Sequence, residues 1–100
     1  MRKPNDRLID ALLNAMLNLK DENECWLFIQ DLCTITEIKS MAQRLEVAKM
    51  LESGMVYSEI AQNTGSSTAT ISRVKRCLDY GDGGYKMILD KIKKEEQTKD

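Results

Sequence analysis

At 100 residues the chain has room for one small domain, and a single core in so short a chain is marginal enough that a partner subunit would help it. Apolar residues make up 42% and aromatics only 5%, with five glycines and one proline, a balance suited to short helices packed through Leu, Ile and Met. The formal net charge of −1 excludes a uniformly basic nucleic-acid binder, and no apolar run approaches the ~20 residues that span a bilayer, so the expected setting is the cytoplasm without a membrane or signal peptide.

Pro4, followed by Asn5 or Asp6, predicts the start of a first helix that runs to about Leu19. Its apolar residues, among them Leu8, Ile9, Leu12, Leu13, Met16 and Leu17, cover far more than one stripe. A helix apolar over most of its circumference is buried on more than one side, and this chain has little material for that. A second subunit covering part of it is the expectation, and an internal helix of a compact monomer is the alternative. Asp21 predicts the cap of a second helix with Trp26, Leu27, Ile29 and Leu32. Thr36 predicts the cap of a third, which runs to about Ser53 with Met41, Leu45, Ala48 and Leu51 on one face and ends at Gly54. Helices at 57–63 and 68–78 follow, the latter with Ser67 as its N-cap. Gly81, Gly83 and Gly84 predict a tight loop, and a last helix carries Tyr85, Ile88, Leu89 and Ile92 before a charged tail that frays from Glu95. No strand alternation interrupts the pattern, so the fold class is all-α.

Residues 57–78, YSEIAQNTGSSTATISRVKRCL, have the spacing of a helix-turn-helix, the unit that places a short helix in the DNA major groove. Ala61 is small where two such helices cross. Gly65 follows four residues later, where the turn needs a backbone free to adopt positive φ. Ile60, Ile71 and Val74 supply the apolar contacts between the two helices. Any one of these features is common; the full spacing is not. The alternative is an ordinary helix pair.

Charge is unevenly distributed along the chain. Residues 21–59 hold eight acids against three bases, a balance of −5, whereas residues 60–94 hold seven bases against three acids, a balance of +4. Phosphate attraction depends on the local face, so an acidic total does not exclude duplex DNA as a partner. On the second helix of the motif the outward positions near the start are Ser67, Thr68, Ala69, Thr70 and Ser72. Their short side chains let the backbone approach base edges and thymine methyl groups, and none makes the bidentate guanine contact of an arginine. Arg73, Lys75 and Arg76 are placed for phosphates, as are Tyr57 and Ser58 at the start of the preceding helix. The alternative for each basic residue is a solvated surface charge.

Cys25, Cys33 and Cys77 form no CxxC pair and the chain has no histidine, so the expectation is no metal site and reduced thiols that pack as small hydrophobes. The glycine-rich segment 80–85 lacks the strand and the GK[ST] ending of a P-loop, and no catalytic constellation is present, so no enzyme is expected. A helix-turn-helix kept as a protein-interaction module remains the second functional reading.

The helix order and the run GSSTATISR resemble the tryptophan-repressor family, and residues 43–85 are most similar to its bacterial YerC/YecD-type branch. The resemblance implies a six-helix, intertwined homodimer that regulates transcription from a palindromic operator. In it, residues 1–53 and 82–94 form the dimer core, 57–78 the head and 95–100 the tail. It also implies a tryptophan corepressor beside the recognition helix, with Arg73 and Arg44 matching the two arginines that serve it. Val74 and Cys77 depart from that pocket: they stand where the repressor has a glycine against the indole and a serine near the amino group. Ser58 likewise stands where the repressor has a guanine-contacting arginine. The expectation is therefore no bound cofactor: a regulator that needs no corepressor or uses one other than tryptophan.

Overall fold

The computed structural model describes residues 2–98, which form six helices and no strand. The chain divides into two units, residues 1–39 and 40–100.

In the first unit, the Asp6 carboxylate accepts from the Leu8 amide at 2.8 Å and opens α1, Arg7–Leu17. Helix α1 stops two residues short of Leu19, where the Asn18 side chain donates to the Asn14 carbonyl and takes the C-cap position. Asp21 caps α2, Glu22–Leu32, by accepting from the Glu24 amide. Helix α3, Ile35–Glu52, begins in this unit and continues through the second. Its cap is Thr34, not Thr36. Thr34 Oγ1 accepts from the Glu37 amide at 3.1 Å, and the Glu37 carboxylate accepts from the Thr34 amide at 2.8 Å, a reciprocal capping box that Thr36, with Lys39 three residues on, cannot close. Those bonds hold the Glu37 carboxyl below its usual range. No side chain of α1 or α2 is buried, and Leu8, Met16, Leu17, Trp26, Leu27 and Leu32 are exposed.

The second unit contains the core. Val47 and Ala48 of α3 meet Ile60 of α4 (Tyr57–Thr64), Ile71, Val74 and Leu78 of α5 (Thr68–Tyr80), and Leu89 of α6 (Gly84–Gln97). Helix α5 packs on both α4 and α6. On α3 the buried face matches the expected one in part: Ala48 lies in the core and Leu51 packs against it, but Met41 and Leu45 are exposed and Val47 takes a core position. Apolar residues fall on most of the circumference of α3, so periodicity alone did not select the face. Helix α5 is two residues longer than expected, and α6 continues to Gln97 instead of fraying at Glu95, with Lys94 in its negative last turn; Lys99 and Asp100 of the expected tail lie outside the described residues. The expected packing of the thiols is also corrected. Cys25 and Cys77 are exposed and Cys33 is half-buried, because Cys25 lies on a helix with no buried face and Cys77 lies off the Ile71–Val74–Leu78 line.

Candidate nucleic-acid interface

The junction between α4 and α5 is built from local bonds. Gly65 ends α4 in the left-handed region at φ +73°, and its amide donates to the Ala61 carbonyl at 2.8 Å. Thr64 Oγ1 donates to the Ile60 carbonyl and accepts from the Ser66 amide, which closes the turn. Ser67 Oγ then accepts from the Thr70 amide at 3.1 Å and starts α5. Ile60 and Ile71 are fully buried and Val74 is 1% exposed, so the inner sides of both helices are fixed by packing.

A further tie comes from α3. The Gln43 side-chain amide donates to the Thr64 carbonyl at 3.0 Å, joining residues 21 apart in the chain. Sequence reasoning missed Gln43, although it lies one turn before the buried Val47 and therefore faces the same side of α3. Ser66 was missed as well. It is buried, and its Oγ has no hydrogen-bond partner.

Outside the packed line, Thr68, Ala69, Ser72, Arg73, Lys75 and Arg76 of α5 are exposed, and so are Tyr57 and Ser58 at the start of α4. At 100° per residue, Ala69 and Arg76 lie directly opposite the Ile71–Val74–Leu78 line, flanked by Ser72 and Arg73. Three expected positions are otherwise engaged. The Ser67 hydroxyl donates to the half-buried Thr70 hydroxyl at 3.1 Å, so both serve the helix start. Lys75 is paired with Asp79 one turn on, at 3.3 Å.

The four residues expected near a corepressor lie on two helices, Arg44 on α3 and Arg73, Val74 and Cys77 on α5. Arg44 is half-buried and donates to Ser40 Oγ on its own helix at 3.0 Å. Val74 lies inside the core, while Arg73 and Cys77 are exposed one turn apart on α5. A groove of about 150 Å³ lies elsewhere, where the end of α3 (Lys49, Glu52) meets Leu89, Ile92 and Lys93 of α6. No helix among the described residues is long and apolar enough to cross a membrane.

The positive-φ turn, the capped second helix and the shared core between them join α4 and α5 into one packed helix pair, and every element among the described residues is a helix. The chain belongs to the Trp repressor protein family, whose family model matches residues 7–93. That family is one of regulatory, non-enzymatic, DNA-binding proteins. The chain is 59% identical over 88 residues to YerC of Bacillus subtilis (strain 168), itself uncharacterized, with 88% of this chain and 85% of that protein covered. Two solved structures share the fold. One is of a Trp repressor candidate from Staphylococcus aureus, at TM-score 0.86 and 49% identity over 89% of each chain. The other is of a TrpR-like protein from Eubacterium eligens ATCC 27750, at TM-score 0.86 and 48% identity over 88% of this chain and 91% of that one.

Proposed function

We propose that this chain is a sequence-specific transcription regulator, a repressor, that binds a palindromic operator in the cytoplasm as a homodimer and does so without tryptophan. The observation that carries the reading is the division of α5. One side is locked into the core by Ile71, Val74 and Leu78, and the other presents Thr68, Ala69, Ser72, Arg73 and Arg76, with the exposed Tyr80 at its far end. That is the arrangement a helix needs to enter a groove while its back stays fixed.

In this reading Thr68, Ala69 and Ser72 approach base edges, and Arg73, Lys75 and Arg76 fix register on phosphates together with Tyr57 and Ser58. Ser67 and Thr70 act through the helix start that they hold. The exposed leucines of α1 and α2 support the homodimer, since a second copy supplies the missing cover. Independence from tryptophan is supported by Val74, whose branched side chain fills the core where the family's repressor has a glycine facing the ligand.

Selection of binding sites from random duplex DNA, with and without L-tryptophan, tests the proposal. The expected result is a palindrome with half-sites about one helical turn apart, equally enriched in both conditions and lost on Arg73→Ala plus Arg76→Ala. Enrichment only with tryptophan would overturn the ligand-independent part. No enrichment in either condition would favour a protein-interaction module, a reading that the −5 balance of residues 21–59 supports.

A further inference from the structure

We infer that Ala69 is a specificity-determining residue of α5 and that it reads the 5-methyl group of a thymine in each half-site. The inference rests on the proposed DNA reading and goes further by naming the base feature recognised. Ala69 is exposed, one residue into the helix, and directly opposite the buried line. The hydroxyls on either side of it in sequence are not equivalent. Those of Ser67 and Thr70 are bonded to each other, which ties both to the helix start. Thr68 keeps a hydroxyl that both donates and accepts, and it therefore tolerates several edges. The arginines stand behind: Arg73 and Arg76 are four and seven residues on, about 6 and 10 Å along the axis. With the leading turn of α5 in a major groove about 8.5 Å deep, their heads reach the flanking phosphates before the groove floor.

Beside the exposed hydroxyls of Thr68 and Ser72, Ala69 presents a methyl with no polar atom. Among the four bases, only thymine presents an apolar group in the major groove. Against a guanine, the Ala69 methyl would displace water from O6 and N7 and return no hydrogen bond. Against a thymine, two methyl groups leave water together, and burial on the scale of one methylene corresponds to about a four-fold gain in affinity. Across two half-sites the gain is about fifteen-fold.

The test uses the duplex recovered by site selection, with each thymine of the half-site replaced symmetrically by deoxyuridine, which keeps base pairing and removes only the methyl. Fluorescence anisotropy is expected to show one position at which the replacement weakens wild-type binding about fifteen-fold. For Ala69→Gly the thymine and deoxyuridine duplexes are expected to bind equally. The wild-type comparison needs no variant to fold. The inference is overturned if deoxyuridine is tolerated at every position, or if Ala69→Gly retains the full penalty. Those outcomes leave the regulator reading intact, whereas failure to recover any selected duplex removes both.

Discussion

Residues 40–98 bury seven apolar side chains, while the helices α1 and α2 that precede them bury none. The contrast is not one of composition, because α1 alone brings four leucines, and Leu17 is left 84% exposed. In the second unit α3, α4, α5 and α6 present apolar faces to one another, so the seven buried side chains find partners within the chain. The first unit offers its apolar surface outward. Apolar content makes a core only where facing material exists, and in the proposed homodimer that material is a second copy of the chain.

The most severe way to break this comparison is to cut both regions equally. Ile71→Ala is expected to cost about 2–5 kcal/mol in urea unfolding, since Ile71 is fully buried, whereas Leu17→Ala in dilute protein should cost far less. Equal losses would mean that the two units do not differ as described. The outer face of α5 can be divided in the same way. Arg76→Ala should weaken operator binding and lower the salt dependence by about one unit per chain. Lys75→Ala should do so less, because Asp79 already neutralises Lys75. Titrations across a salt series separate the two.

Smaller effects sharpen the account of the turn. Ser67→Ala removes the α5 cap and should cost about 1 kcal/mol in thermal unfolding. Ser66→Ala is expected to have the opposite sign, leaving stability unchanged or raising it by about 1 kcal/mol, because the hydroxyl it removes is buried without a partner. The smallest effect belongs to the first unit. The lowered pKa of Glu37 gives a stabilisation that is complete above the ordinary value of 4.5 and is lost as pH falls through the folded-state value. Glu37→Gln should flatten that part of the acid-unfolding curve.

The α4–turn–α5 unit was legible because local chemistry forces its residues. Positive φ demands Gly65, the helix start demands a hydroxyl at Ser67, and the buried back demands Ile71 and Val74 at a three-residue spacing. The start of α3 was equally legible in principle. Two threonines lie two residues apart, and only the spacing from Thr34 to Glu37 closes a capping box, a distinction that a reading from Thr36 passes over. What the sequence does not contain is tertiary choice. Val47, not Leu45, lies in the core with Ile60 of α4 and Ile71 of α5. The Gln43–Thr64 bond exists only once α3 and the turn are brought together. The Ser67–Thr70 and Lys75–Asp79 pairs likewise separate engaged side chains from available ones on a face that looks uniform in sequence.

Hydrogen exchange followed by peptide mass spectrometry, across protein concentration and with or without the selected duplex, tests the division of labour most directly. Raising the protein concentration is expected to protect peptides of α1 and α2, and duplex is expected to protect residues 57–80. Duplex protection confined to α1 and α2, with residues 57–80 unchanged, would contradict that division.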